Sequence, residues 1–198
     1  DAFLMVTPYY NKTSQRGLVL HYNYVADRVN KPIILYNVPS RTGVAIQPET
    51  YKELSKHPNI VATKEANGDL SAVLKTRYLC GDDLAIYSGN DDQIVPIMSL
   101  GGIGVISVLS NLLPTETHNI CSDFFNGNYE KAAAQQTKYC GLINALFSDV
   151  NPIPIKEAMN IAGLQKTTLL DFPEHLAATI FLGGCNFRCP FCHNGELV

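Results

Sequence analysis

Hydrophobic residues follow two alternating patterns along this chain. Apolar residues recur every three or four positions, as in amphipathic helices, at 14–29, 47–57, 70–79 and 91–101, and two more helices are predicted on either side of residues 126–128. Short apolar runs typical of strands lie between them, at 2–10, 31–39, 59–66, 84–90 and 102–109. Because strands and helices alternate strictly, the pattern predicts a parallel sheet.

Two parallel architectures fit five strand–helix units, an open doubly wound sheet and a closed eight-unit barrel. The first strand–helix turn has no Gly-x-Gly-x-x-Gly loop, which weakens the dinucleotide-binding version of the open sheet. Polar residues instead follow several strands at their carboxyl ends, where barrel enzymes build their active sites. We therefore predict a partial TIM (β/α)8 barrel, its last five units, with three further units before Asp1.

Composition narrows the classes of partner. Of the 198 residues, 46% are hydrophobic and 17% are charged, with a net charge of −3 and no basic run that would favour nucleic acid or an anionic membrane. No apolar stretch reaches the roughly 18 residues of a membrane span, and no signal-peptide pattern is present. We expect a cytoplasmic protein without a nucleic-acid or membrane partner.

Lys64 is the first candidate for chemistry. The two-residue period of a strand puts Ile60, Ala62, Lys64 and Ala66 on one face. Burial among small residues would lower the pKa of the amine, and a neutral amine attacks ketones to form imines. The alternative is a lysine whose ammonium group extends into solvent. Tyr36, on the preceding strand, is either a proton-transferring phenol or a core tyrosine.

Four motifs then carry a resemblance to a known family: YNVPSRTG (36–43), ATKEA (62–66), SGND (88–91) and GGIGVISV (101–108). Their order and spacing resemble the dihydrodipicolinate synthase (4-hydroxy-tetrahydrodipicolinate synthase) family over residues 1–164. The resemblance implies a lyase of lysine and diaminopimelate biosynthesis, which condenses pyruvate with aspartate semialdehyde through a lysine Schiff base. It also implies a homo-oligomer, a dimer or tetramer, that needs no cofactor.

The resemblance implies a role for each matching position. Lys64 is the Schiff-base lysine and Tyr36 the proton-relaying tyrosine. Tyr10 matches a tyrosine that reaches across a dimer interface to complete the relay of the neighbouring subunit. The family's threonine pair has no counterpart here, because no segment similar to GTTGE is present.

The remaining matches concern binding. Arg41 corresponds to the arginine that receives the carboxylate of aspartate semialdehyde, a group that a guanidinium binds with two hydrogen bonds. Gly89 and Ile106 correspond to residues that line the pyruvate pocket. Tyr9 corresponds to a tyrosine near the site of the inhibitor lysine.

The tail changes in character from about residue 165. Cys185, Cys189 and Cys192 form a Cys-x3-Cys-x2-Cys cluster. Three thiolates at this spacing suit three irons of a 4Fe–4S cluster, with the fourth iron left open. With His193 as a fourth ligand they would instead suit zinc, and a third interpretation has no metal.

Residues 159–198 resemble the start of the radical S-adenosylmethionine activating enzymes of anaerobic ribonucleotide reductase and pyruvate formate-lyase. That resemblance implies a 4Fe–4S cluster that binds S-adenosylmethionine. We therefore expect two domains, 1–164 and 165–198, joined at MNIAGL (159–164), which suits both families. Two alternatives to the lyase follow, a radical-generating iron–sulfur enzyme and an inactive fusion of two fragments.

Overall fold

The computed structural model describes residues 1–163, together with two short strand segments at 167–168 and 177–178. The described residues belong to two compact units. The first is Asp1–Asn144, and the second begins at Ala145. The domain boundary expected after residue 164 lies at the edge of the described residues and stays a prediction.

One parallel sheet organises the first unit, with strands in the order β1-β2-β3-β4-β5. Each strand pairs with the next one along the chain, so the winding never reverses as it would in a doubly wound sheet. The prediction of a partial (β/α)8 barrel is therefore confirmed. The five strands are β1 (Phe3–Val6), β2 (Ile33–Asn37), β3 (Ile60–Glu65), β4 (Ala85–Ser88) and β5 (Gly104–Val105).

Helices connect these strands. The bounds are α1 (Gln15–Ala26), α2 (Pro39–Thr42), α3 (Pro48–Leu54), α4 (Leu70–Cys80), α5 (Ile94–Ser99), α6 (Pro114–Phe125), α7 (Tyr129–Lys138), α8 (Cys140–Leu146) and α9 (Ile153–Ile161). Single 3₁₀ turns lie at Asp91–Gln93 and Leu109–Asn111. In the second unit, β6 (Thr167–Thr168) and β7 (Ala177–Ala178) pair in antiparallel fashion.

Local sequence explains where several helices begin. The Ser14 hydroxyl accepts a hydrogen bond from the Gly17 amide at 3.2 Å and caps α1. The Asp69 carboxylate does the same for α4, accepting from the Ala72 amide at 3.0 Å. The short helix α2 was not predicted. Its first residue, Pro39, was placed at the end of the strand predicted over 31–39, although proline also suits a first helical turn.

The sheet has two unlike faces. Leu35 of β2 packs with Leu18 and Tyr22 of α1 and with Tyr51 and Leu54 of α3, and all five side chains are fully buried. Tyr36, the next residue of β2, points to the opposite face because successive side chains of a strand alternate. The helices therefore build their core on one face and leave the other for the candidate site.

One sequence prediction about β3 is wrong. Ile60 was expected on the face of Lys64, but it packs in the core cluster with α1 and α3. The pairing with β2 shifts here, so that Ile33 pairs with Ile60 and Ile34 pairs with Ala62. Val61 is the extra residue of this bulge, and an extra residue reverses the alternation of side chains. Ala62 and Lys64 remain two residues apart, on one face.

Candidate active site

A row of side chains crosses the sheet at the level of Lys64. The register of the strands places Tyr36, Lys64, Tyr87 and Gly104 directly opposite one another in turn. Neighbouring strands lie about 4.8 Å apart, so Lys64 stands between two tyrosines. The Lys64 Nζ atom lies 4.5 Å from the centre of the Tyr36 ring. The two predicted catalytic residues are thus direct neighbours.

The surroundings of Lys64 favour its neutral form. Burial lowers the pKa of the amine, the negative charge of Asp91 raises it, and the positive charge of Arg41 lowers it. Burial is the largest of these effects, and the net shift is downward. A larger fraction of the amine is therefore unprotonated at neutral pH than for a lysine in water, and the unprotonated amine is the nucleophile.

Tyr36 and Arg41 share a cavity of about 460 Å³. Burial raises the pKa of the Tyr36 hydroxyl, and the charge of Arg41 partly opposes that shift. The phenol therefore keeps its proton at neutral pH and is available as a donor. The cavity is lined by Leu4, Val6, Tyr9, Tyr36, Val38, Arg41 and Thr42.

A tight turn holds Arg41 at the carboxyl end of β2. The Thr42 hydroxyl donates to the carbonyl oxygens of Val38 and Val44, at 3.2 and 3.0 Å. Gly43 ends the helical turn at a φ of 67°, in the left-handed region that favours glycine. Arg41 itself is exposed, and an exposed arginine on a fixed backbone suits recognition of an anion that enters from solvent.

Gly89 packs directly against the lysine strand. Its amide donates to the Glu65 carbonyl at 2.7 Å. A Cβ atom at this position would lie 2.8 Å from the Ala66 Cβ and 3.1 Å from the Lys64 Cγ. The absence of a side chain at Gly89 therefore leaves the space that the stem of Lys64 occupies. Ile106, at the end of β5, is half-buried and donates its amide to the Ser88 carbonyl at 2.8 Å.

The two tyrosines after β1 differ in their placement. Tyr9 is 66% exposed and lines the cavity of Tyr36 and Arg41. Tyr10 is 90% exposed and is not among the residues that line this cavity. A role for Tyr10 across a subunit interface, and a role for Tyr9 in binding an inhibitor, stay predictions.

A family model, that of the dihydrodipicolinate synthetase family, matches residues 1–176. The chain belongs to this family. A 4-hydroxy-tetrahydrodipicolinate synthase of Caldicellulosiruptor saccharolyticus is 61% identical over 163 residues, which are 82% of this chain and 55% of that protein. One from Clostridium perfringens is 59% identical over 161 residues, 81% of this chain and 55% of that protein.

Solved structures of the dihydrodipicolinate synthetase family share the fold. The enzyme of Acinetobacter baumannii, crystallised with pyruvate, superposes with a TM-score of 0.82 at 41% identity, over 84% of this chain and 57% of that one. The Thermotoga maritima enzyme superposes with a TM-score of 0.79 at 43% identity, over 81% of this chain and 56% of that one. The chain thus spans about half the length of the relatives that it matches.

A buried polar network lies on the other side of the sheet from Lys64. The Glu65 Oε1 atom accepts hydrogen bonds from the Asn37 side chain at 2.9 Å and from the Asn67 amide at 3.1 Å. The Glu65 Oε2 atom accepts one from the Tyr51 hydroxyl at 2.9 Å, and that hydroxyl also bonds the Thr63 hydroxyl at 3.0 Å. Burial, partly opposed by these hydrogen bonds, raises the pKa of Glu65 to about 7.

Sequence reasoning about this family member missed two neighbours of Lys64. Tyr87 follows from the pairing of β3 with β4, which the local sequence does not reveal. Asp91 is 1% exposed, and its Oδ2 atom accepts from the Val108 and Leu109 amides at 3.0 and 2.9 Å. Asp91 ends the SGND motif, so its position in that motif was a signal that it faces the site.

The cysteine cluster of Cys185, Cys189 and Cys192 lies outside the described residues, so its metal remains a prediction. Within residues 1–163 and the two short strands beyond them, no group of three His, Cys, Asp or Glu side chains is arranged to hold a metal ion. Over the same part of the chain, no helix combines the length and apolar character needed to cross a membrane.

Proposed function

We propose that Lys64 forms an imine with pyruvate, and that this family member condenses pyruvate with aspartate semialdehyde, a reaction of lysine and diaminopimelate biosynthesis. The observation that carries the proposal is the pairing of a partly buried amine with a phenol 4.5 Å away, measured from Lys64 Nζ to the Tyr36 ring centre. The identity of about 60% to enzymes named 4-hydroxy-tetrahydrodipicolinate synthase supports the same substrates.

The chemistry begins with the neutral amine of Lys64. Its nitrogen attacks the ketone carbon of pyruvate, and the ketone oxygen leaves as water when the imine forms. Departure of that oxygen needs a proton, which the Tyr36 hydroxyl donates because it is protonated at neutral pH and belongs to the side chain beside the amine. The Tyr36 phenolate left by this transfer then accepts a methyl proton of the imine, which becomes an enamine whose carbon attacks the aldehyde of the second substrate. Hydrolysis of the product imine restores Lys64.

Arg41 supplies recognition of the second substrate. Its charge lowers the pKa values of both Lys64 and Tyr36, so it acts electrostatically on the reacting groups. A guanidinium at the open end of a cavity binds a carboxylate with paired hydrogen bonds. We propose that the carboxylate of aspartate semialdehyde lies against Arg41, with its aldehyde directed towards Lys64.

We further propose that pyruvate lies between Gly89, Ile106 and Lys64, and that the protein is a cytoplasmic homo-oligomer. The 90% exposure of Tyr10 supports an interface at the end of β1, where the phenol of one subunit would join the relay of another. Tyr9, beside the cavity, would contact lysine as an inhibitor. None of these roles requires a cofactor.

Borohydride trapping tests the imine. The folded chain is incubated with pyruvate, reduced, digested and analysed by mass spectrometry, with omission of pyruvate as one control. We expect a reduced pyruvate adduct on Lys64 that disappears in Lys64→Arg. The variant Lys75→Arg, which changes an exposed lysine paired with Glu49, serves as the matched control and should retain the adduct. A cooperatively folded sample with no adduct on Lys64 would refute the proposal.

A further inference from the structure

Each of the two central site residues is followed by a buried polar residue. Asn37 follows Tyr36 on β2 and is fully buried, and Glu65 follows Lys64 on β3 and is 3% exposed. Since side chains alternate along a strand, Asn37 and Glu65 point away from the site. They are also strand partners, as Tyr36 and Lys64 are. Strands β2 and β3 therefore carry the pair Tyr36 and Lys64 on the face of the site, and the pair Asn37 and Glu65 on the opposite face.

We infer that Asn37 and Glu65 are positioning residues, whose hydrogen bond across the back of the sheet sets the placement of Tyr36 relative to Lys64. The bond runs from Asn37 Nδ2 to Glu65 Oε1 at 2.9 Å, with the second carboxylate oxygen at 3.2 Å. This inference rests on the proposed imine chemistry and adds to it two residues that contact neither substrate.

Asn37 also holds the segment that follows Arg41. Its Oδ1 atom accepts a hydrogen bond from the Ile46 amide at 3.0 Å. Because Ile46 lies beyond the turn that carries Arg41, the Asn37 side chain joins that segment to both strands. The three elements bearing Tyr36, Lys64 and Arg41 therefore meet at one buried amide group.

Main-chain bonds transmit any movement of these two residues to the site. The Asn37 carbonyl accepts from the Ala66 amide at 2.9 Å, and the Glu65 carbonyl accepts from the Gly89 amide at 2.7 Å. Gly89 is the residue that packs against the stem of Lys64. A tilt of the Glu65 peptide therefore moves Gly89, which lies against the stem of Lys64.

The chemistry of the network distinguishes positioning from simple packing. Apolar side chains of similar size would fill this space without the desolvation cost of a carboxyl group. Hydrogen bonds differ from apolar contacts because they require a particular distance and direction. Each carboxylate oxygen of Glu65 has a partner, Asn37 and Asn67 on one and Tyr51 on the other, so its orientation is determined.

The test compares variants that break different parts of the network. Asn37→Ser replaces the amide by a shorter hydroxyl that does not reach Glu65, so it removes the link between the strands. Tyr51→Phe is the matched control, because it removes one hydrogen bond to Glu65 from α3 and leaves the Asn37 bond intact. Glu65→Gln is the conservative variant, since a side-chain amide can accept from Asn37 and donate to Tyr51.

The first readout is the rate of pyruvate trapping on Lys64 in samples that unfold cooperatively. We expect Asn37→Ser to slow trapping at least tenfold, and Tyr51→Phe and Glu65→Gln to remain within about threefold of the unsubstituted chain. If Asn37→Ser does not fold, Asn37→Leu, which keeps the approximate size and branching but carries no donor, takes its place. Unchanged trapping in the variant that folds overturns the inference. So does failure of both Asn37 variants to fold while Tyr51→Phe folds, because Asn37 is then only structural.

A second readout separates this inference from the proposed function. Acetylation of Lys64 by an amine-selective reagent, followed across pH by mass spectrometry, reports its pKa without pyruvate. The charged groups facing Lys64 are Asp91 and Arg41, and neither changes in these variants. We expect the labelling profile to move to higher pH in Asn37→Ser, as the amine becomes better solvated, and to stay in place in Tyr51→Phe. If the unsubstituted chain traps no pyruvate, the proposed function fails. A labelling profile of Lys64 that does not move in Asn37→Ser overturns the positioning role in either case.

Discussion

Lys64 and Tyr36 are paired across two neighbouring parallel strands, with the amine nitrogen 4.5 Å from the centre of the phenol ring. Rigid strands hold reacting groups in a fixed geometry more firmly than loops do. Both pKa values are displaced by burial, downward for the amine and upward for the phenol. The downward shift increases the fraction of neutral amine, and the phenol keeps its proton at neutral pH.

The charges of Arg41 and Asp91 should shift the pKa of Lys64 in opposite directions. Replacing Arg41 by Gln removes a positive charge that lowers the pKa of Lys64, so the pH profile of trapping should move to higher pH. Replacing Asp91 by Asn removes a negative charge that raises this pKa, so the profile should move to lower pH. Trapping rates measured across pH in both variants check the prediction, and shifts of the same sign would contradict it.

Loss of the Tyr36 hydroxyl should slow imine formation. Proton transfer by a positioned side chain contributes typically 10²–10⁴-fold to a rate, so we expect Tyr36→Phe to lower the trapping rate by roughly a hundredfold. Tyr87→Phe is the matched control, because Tyr87 flanks Lys64 on β4. We expect a change of a few-fold at most in that variant. An equal loss in the two variants would assign the effect to packing around Lys64.

A methyl group at Gly89 should disturb both stability and reactivity. In Gly89→Ala the new Cβ would lie 2.8 Å from the Ala66 Cβ and 3.1 Å from the Glu65 carbonyl oxygen. Overpacking of this kind costs about 1–3 kcal/mol of the free energy of unfolding, and trapping on Lys64 should slow. Denaturant unfolding measures the first effect, and borohydride trapping measures the second.

The control for this substitution is Gly141→Ala. Gly141 lies within α8, and a Cβ there would meet no atom within 4 Å. Because alanine is the better helix former, stability should stay unchanged or rise by up to about 1 kcal/mol. A Gly89→Ala protein as stable as this control would show that the contact with Ala66 relaxes freely.

Glu65 should make stability depend on pH in a defined direction. Its pKa rises from 4.5 to about 7 on folding because the carboxyl group is buried. The folded state therefore binds the proton of Glu65 more tightly than the unfolded state does. The contribution of this protonated group to the free energy of unfolding is fully present below pH 4.5, and it is lost as the pH rises through about 7. The loss amounts to about 3 kcal/mol, since one pKa unit corresponds to about 1.4 kcal/mol.

Glu65→Gln provides the comparison, because the amide does not titrate. The free energy of unfolding of the variant should gain about 3 kcal/mol relative to the unsubstituted chain between pH 4.5 and about pH 8. Other titrating groups, such as Asp91, are present in both proteins and cancel in this difference. A difference that stays constant over the range would mean that Glu65 is ionised throughout.

The cysteine cluster can be tested independently of the lyase site. If Cys185, Cys189 and Cys192 hold a 4Fe–4S cluster, anaerobic reconstitution with iron and sulfide should load about four irons per chain and give visible sulfide-to-iron absorption. Replacing all three by serine should abolish loading. Cys140→Ser, which changes an exposed cysteine elsewhere, should leave it intact. Retention of zinc in place of iron would favour the alternative with His193.

Much of the fold was predictable from local patterns. The five strands were expected from their apolar runs, and each lies within its predicted range. Helix boundaries were less accurate. The helix predicted across 128–147 ends at Lys138 and resumes at Cys140, because Tyr139 forms a cap between α7 and α8. An apolar periodicity continues through such a break, so the sequence alone did not indicate it.

The sequence by itself determined that Lys64, Tyr36 and Arg41 are the candidates, since each lies in a motif and follows or ends a predicted strand. Only the tertiary structure decided their surroundings. The bulge at Val61 moved Ile60 into the core, Tyr87 came to lie beside Lys64, and the Asn37 side chain met Glu65. All three results depend on the register between strands that are distant along the chain. Local periodicity assigns a residue to a face of its own strand, but inter-strand hydrogen bonds decide which residues of other strands lie opposite.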